Sequence, residues 1–204
     1  NHVLNGQAKL EDAIYEHESG TKIIPASLSL KETEKVDYKK IGDIIKKLKK
    51  LTNHILIDSA AGLGEEARSV MQASDEIIIV TNPEMAAVTD ALKTIKLAEE
   101  MNKPVKGVII TRYRGVRTEM PISNIHDMLE TSILGIIPED EAVKISQVLK
   151  NAVVHTHPKS KAARNYMETS KRLLGDDYKE PVIKQGLWTG ILKAFGLKWK
   201  AFKR

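Results

Sequence analysis

A chain of 204 residues, 42% hydrophobic and 29% charged, can bury one substantial core and has the composition of an ordinary globular protein. It contains no Cys, which excludes disulfides, thiolate zinc sites and iron–sulfur ligation by these residues. No uninterrupted apolar run reaches bilayer-spanning length, and the formal net charge of +5 is matched by the cations of the last stretch alone, so the body offers no excess positive charge for nucleic acid.

In chain order, short β-branched runs alternate with longer helical patterns. Strands are predicted at Lys22–Ile24, His54–Ile57, Glu76–Val80, Val105–Ile110 and Ile133–Ile136. Helices are predicted near Tyr38–Leu51, Glu65–Gln72, Ala86–Met101, Ile122–Leu129, Glu141–Leu149 and Lys161–Leu174. This alternation indicates an α/β fold with a mostly parallel sheet and helices on both faces. His54–Ile57 and Ile77–Val80 are continuous apolar runs, the pattern of central strands buried on both faces. The Lys-rich run 46–50 reads as the solvated side and last turn of a helix, where cations suit the dipole.

Parallel sheets bind ligands at the carboxyl ends of their strands, which directs attention to Asp58, Thr81–Glu84, Thr111–Arg112 and Pro138–Glu139. In the segment Ile55-Leu56-Ile57-Asp58-Ser59-Ala60-Ala61-Gly62, a strand-end carboxylate is followed by small residues and a glycine. Such a carboxylate can hold a Mg²⁺-bound water or orient an attacking water, and the glycine lets a backbone N–H approach a γ-phosphate. Asp and Gly after a strand also make simple turns. The basic stretch Arg112–Arg117, with one aromatic residue, suits either a nucleic-acid loop or a solvated loop above a ligand site. His155 and His157 would share a face of a strand, but no third metal ligand lies nearby.

All Phe and Trp residues fall in the last stretch. Trp188, Leu192, Phe195, Trp199 and Phe202 follow one another at spacings of four, three, four and three, on one side of a helix that Leu187 and Ile191 widen. Lys193, Lys200 and Arg204 occupy the other side, with Lys198 and Lys203 at the flanks and no acidic residue between them. Rings on one face and cations on the other describe a helix lying in the membrane–water interface, with packing on a protein surface as the alternative. The predicted organisation is a nucleotide-binding domain over 1–174, a polar linker over 175–185 and the amphipathic helix over 186–204.

Several segments carry a resemblance in a fixed order: Asn1–Gln7, Ile24-Pro25-Ala26-Ser27, Asp58–Gly62, Asn82-Pro83-Glu84, Thr111-Arg112-Tyr113, Gly135–Asp140 and the amphipathic tail. At these residues the chain resembles the MinD family of deviant-Walker ATPases, within the MinD/ParA superfamily. The resemblance implies an ATPase using ATP and Mg²⁺, cytoplasmic but peripheral on the inner face of the cell membrane. It would homodimerise when ATP-bound, hold anionic lipid and help to place the division septum with MinC-like and MinE-like regulators, without nucleic acid. By the same resemblance Asp58 matches the aspartate near Mg²⁺ and the attacking water. Gly62 matches the switch glycine, and Thr111, Arg112, Pro138 and Glu139 match positions around the adenine. Glu84 and Asp90 fall on the helix that contacts the second subunit or regulators.

The family's Gly-rich loop ending in Gly-Lys-Thr does not occur in these residues: Gly20-Thr21-Lys22 has the wrong order, and no Lys-Ser/Thr follows Gly62-Leu63-Gly64. The expectation is therefore the larger carboxyl-terminal part of a MinD-like protein, without its first strand, phosphate loop and following helix, and inactive alone. The alternatives are a ParA-like ATPase that partitions DNA and a non-catalytic interaction module.

Overall fold

The computed structural model describes residues 2–17, 19–26, 36–59 and 62–175, so the amphipathic tail, all of the linker but Gly175, and residues 60–61 lie outside the described residues. Two compact units are present, one formed by residues up to Glu76 with Glu100–Pro104, the other by Ile77–Glu99 with the chain from Val105 onward.

In the first unit β1 (Tyr15–Glu16) pairs antiparallel with β2 (Lys22–Ile23), closed by a turn in which His17 N–H donates to Thr21 O at 2.8 Å. Two helices follow, α1 (Ile41–Leu48) and α2 (Glu65–Ala73). The second buries Ala67, Val70 and Met71, which recur at helical spacing along one face. The Lys-rich run is solvated as the sequence indicates, and Lys46 pairs with Asp43 at 3.2 Å on the exposed side of α1. Beyond α1, Lys49 reaches Asp75 at 2.7 Å, and Lys103 donates to the carbonyls of Gln72 and Ser74 at 2.7 and 2.9 Å. These bonds tether the end of α2 to its neighbours within the unit.

The apolar run 54–57 departs from expectation. It is not a strand, and Leu56 is 88% exposed. A strand needs a neighbour to take its backbone N–H and C=O groups, and no described strand pairs with this run. Hydrophobicity alone does not make the ladder.

The second unit alternates β3 (Ile77–Thr81), α3 (Met85–Glu100), β4 (Val105–Tyr113), α4 (Ile122–Leu129), β5 (Ile133–Pro138), α5 (Glu141–Val148), α6 (Val153–Thr156) and α7 (Lys161–Leu174). The strands form a parallel sheet in the order β3-β4-β5. Helical crossovers supply the length of chain that parallel neighbours require. Val88, Val108, Ile110, Ile125 and Ile137 are all 0–1% exposed and form the centre of the core. Each such side chain contributes about 1.5–3 kcal/mol by leaving water.

β3 and β5 differ in a way their sequences do not announce. In β5 the successive residues Ile133, Leu134 and Gly135 are all buried, so both faces are covered. In β3 burial alternates and Val80 is 63% exposed, which corrects the expectation of a strand buried on both faces. β3 and β5 are both edges of the described sheet, so the difference lies in what covers each face and not in edge position.

The closest helix–sheet approach is α7 on β5. Small residues, Ala162 and Ala163, are wholly buried on the helix, and Gly135 faces Thr169. A Cβ at Gly135 would run into the Thr169 hydroxyl and lie 2.9 Å from its methyl. Arg172 secures the same contact by donating to the carbonyl of Leu134 at 3.0 Å. Ser160 caps the start of α7 through Ala163 N–H at 3.1 Å, and Gly175 ends it with a left-handed φ of 94°. Gly135→Ala is expected to lower unfolding free energy by about 1–3 kcal/mol through overpacking. Adding Thr169→Ala should recover part of that loss, as read from urea unfolding midpoints.

Candidate functional site

The parallel register brings the carboxyl ends of β3, β4 and β5 level, and specific bonds then join the loops that leave them. Thr81 pairs with Ile110, and Tyr113 with Pro138. The Thr111 hydroxyl donates to Thr81 O at 3.2 Å, and Glu139 N–H donates to Tyr113 O at 2.9 Å. Met120 N–H donates to Pro83 O at 2.9 Å and so ties the loop after β4 to the loop after β3. Asn82 organises the start of α3, its side-chain oxygen accepting from Glu84 N–H at 3.1 Å.

Arg112 breaks the strand geometry. Its φ of 57° is left-handed, and the β4–β5 register shifts between Ile110 and Tyr113. A bulge of this kind re-aims a side chain. Here the guanidinium turns to Glu139, with Nε 3.3 Å from the carboxylate.

These loops enclose a cleft of about 470 Å³. Asn82, Pro83 and Glu84 contribute from the end of β3, Arg112, Arg114 and Glu119 from β4 and its loop, and Glu139 and Lys144 from the β5–α5 side. The size suits an organic ligand of nucleoside dimensions. Its charges are balanced. Glu139 faces Arg112 and also Lys144 at 3.8 Å, while Glu119 faces Arg114 at 3.0 Å.

Glu119 is the buried acid of the site, 9% exposed. Its carboxylate accepts from Arg114 N–H at 3.0 Å, Gly115 N–H at 2.8 Å and Arg114 Nε at 3.0 Å. Burial pushes the carboxyl up, but the Arg114 guanidinium and the backbone N–H groups of Arg114, Gly115 and Val116 outweigh it and hold the group below its ordinary value. Asp140, next to Glu139 in sequence, has a different task. One oxygen accepts from Ala142 N–H at 3.0 Å at the start of α5, and the other accepts from Ala162 N–H at 3.1 Å at the start of α7. The bonds from Ala162 and Ala142 lower its pKa below the usual aspartate value.

Of the residues expected around the base, Arg112 and Glu139 line the cleft, while Thr111 and Pro138 build the framework behind it. Glu84, expected at a partner surface, lines the cleft as well. Asp90 is exposed on α3 and pairs with Lys93 at 2.9 Å. Asp58 and Gly62 belong to the first unit; Asp58 is exposed, and Gly62 has a left-handed φ of 112° with open space around it. Leu187, Trp188, Ile191, Leu192, Lys193, Phe195, Trp199, Lys200 and Phe202 lie outside the described residues. Among the described residues no group of three His, Cys, Asp or Glu side chains could hold a metal, and no helix is long and apolar enough to cross a membrane. His155 lies in α6 rather than a strand, and His157 bonds to the Thr156 hydroxyl at 3.0 Å.

Sequence reasoning missed Arg114, Glu119 and Lys144 as lining residues. The signal for Glu119 was the basic stretch itself, which needs an acid to fold back on.

The family model that matches is that of ParA, described as NUBPL iron-transfer P-loop NTPase, over residues 39–174. The chain belongs to the ParA family of P-loop NTPases. It is 32% identical over 185 residues to an "uncharacterized ATP-binding protein" of Methanocaldococcus jannaschii, covering 91% of this chain and 70% of the relative. The septum site-determining protein MinD of Bacillus subtilis is 26% identical over 208 residues, with 96% of this chain and 76% of that protein covered. Among solved structures, MinD from Pyrococcus horikoshii complexed with Mg-ADP superimposes with a TM-score of 0.80 at 32% identity, covering 87% of this chain and 75% of that one. The MinC:MinD complex of Aquifex aeolicus gives 0.77 at 26% identity, with coverage of 89% and 75%. The α/β fold is thus that of MinD-type ATPases.

The double cap by Asp140 has a pH signature. Its folded-state pKa lies below the unfolded value, so its contribution is complete above the ordinary aspartate range and is lost as pH falls through the lowered value. Asp140→Asn should cost about 1 kcal/mol near neutral pH. The gap from the parent protein should close on acidification in urea titrations run across pH.

Proposed function

We propose that these residues belong to a MinD-type ATPase that cycles between cytoplasm and the inner face of the cell membrane and helps to place the division septum. The observation that carries the reading is the cleft at the strand ends. Asn82-Pro83-Glu84, Arg112 and Glu139, which resemble MinD segments in their order, line one nucleoside-sized space. Relatives that bear the MinD name support it, as does the MinC:MinD complex among similar structures. The "iron-transfer" description of the family model finds no thiolate among these residues, which contain no Cys.

In this reading the cleft takes the base of ATP. Asp58 suits Mg²⁺ because a hard cation that keeps most of its water needs only one or two carboxylates besides phosphate. Mg²⁺, when bound, would neutralise charge on the phosphate oxygens. Asp58 would hold a water of that ion and orient the attacking one, and Gly62 would let a backbone N–H approach the terminal phosphate. Without a Gly-Lys-Thr loop, the 204 residues alone should not hydrolyse ATP. Nucleotide binding would favour a homodimer, with Glu84 and Asp90 at its partner surface, and MinC-like and MinE-like proteins would read the paired state.

Dimerisation would bring two weak amphipathic tails to anionic lipid together. Each nearby cation is worth roughly 1 kcal/mol there. Pairing can raise avidity by about 10² or more without any new contact.

Two measurements on the full gene product test this. Sedimentation with anionic liposomes in ATP should carry down the parent protein and leave a Trp188→Glu, Phe195→Glu variant in solution; equal binding would overturn the membrane role. Phosphate release should be almost abolished by Asp58→Ala, and an unaffected rate would remove that residue from the chemistry.

A further inference from the structure

We propose that Glu119 is a positioning residue that reserves the cleft for an uncharged planar base by pinning Arg114 and filling the anion-binding turn of its own loop; this rests on the nucleotide reading above. Gly115 has a left-handed φ of 73°, and the N–H groups of Arg114 and Gly115 converge on the Glu119 carboxylate at 3.0 and 2.8 Å. Successive backbone N–H groups in such a turn form a concavity that binds anions. In this protein the anion is supplied from within the chain. The turn is closed further by Glu119 N–H donating to Val116 O at 3.1 Å, and the next residue, Met120, fixes the loop to Pro83.

The electrostatic consequence follows from the pairing. Arg114 is neutralised by Glu119, and Arg112 and Lys144 both face Glu139. A phosphate entering the cleft would meet the Glu84, Glu119 and Glu139 carboxylates, and each lining cation, Arg112, Arg114 and Lys144, already faces Glu119 or Glu139. A neutral heterocycle meets no such repulsion and can lie against the walls formed by Pro83 and the Arg112 side chain, which is 68% exposed. The same pocket without Glu119 would carry a released Arg114 cation and an open anion-binding turn. Its preference would shift from base towards phosphate.

The experiment compares Mg-ATP with Mg-tripolyphosphate binding to the full gene product by calorimetry. The ratio of the two dissociation constants measures what the nucleoside adds. Glu119→Gln cannot reproduce the carboxylate, because its amide N–H₂ would face the Gly115 or Arg114 N–H. The ratio is expected to fall about tenfold, as for loss of a charge-assisted hydrogen bond. Tripolyphosphate affinity should stay level or rise. Amide exchange should quicken at Arg114 and Gly115 while Val108 and Ile110 keep their protection. Glu119→Asp, which keeps the charge, should fall between the two and serves where the Gln variant fails to fold. Equal weakening of both ligands, or an unchanged ratio, overturns the role of Glu119 and leaves ATP binding intact. Absence of ATP binding by the parent protein overturns the proposed function and this inference with it.

Discussion

Parallel pairing of β3, β4 and β5 is the constraint on which the site depends. Parallel strands end on the same side, so their loops meet there, and polar groups at those ends can find partners in neighbouring loops. Thr111 with Thr81, Glu139 with Tyr113, and Met120 with Pro83 supply them at 3.2, 2.9 and 2.9 Å. The cleft is what remains after those bonds are made. Most of the lining residues lie in loops, and these bonds tie those loops to one another and to the strand ends. Gly135 and Thr169 act further back by letting α7 approach β5 closely enough to hold that strand in place.

The acidic residues near the strand ends divide their work by surroundings rather than by type. Asp140 has an oxygen on each of two helix starts and none to spare. Glu119 is consumed by its own loop, and Glu139 by Arg112 and Lys144. For Glu119 and Asp140 the donors within hydrogen-bonding distance outweigh the cost of leaving water and hold the carboxyl below its ordinary value. Glu84, exposed at the mouth, is the acid of the cleft without such a described ion pair. The three cations and three acids of the lining balance only with Glu84 counted, so the solvated acid at the edge completes the charge balance of the cleft.

Much of this was legible in the residues. The alternation of β-branched runs with helical patterns located the strands and helices of the second unit to within a few positions, apart from the one-turn α6, which no pattern announced. The run 54–57 has the residue types without the neighbour, and Leu56 at 88% exposure records the difference. Val80 shows the same lesson in part, because burial on both faces is a property of the sheet and not of one strand. Among the residues that line the cleft, Arg112 and Glu139 were legible as strand-end residues. Glu119 was not, because an acid in a polar loop looks solvated until the loop folds back on it. Asp140 was grouped with the ligand-facing segment, yet its partners are backbone groups on α5 and α7, one of them 22 residues away in sequence.

The family spans proteins described by iron transfer and proteins described by septum placement, so membership does not by itself choose between them. Septum placement asks for a pair of properties, a switchable nucleotide site and a reversible hold on lipid. The proposed reading assigns the first to the strand-end cleft and the second to the cation-and-ring pattern of 187–204. Both features enter the proposed MinD-type reading, one through nucleotide and the other through lipid, and each is open to its own measurement.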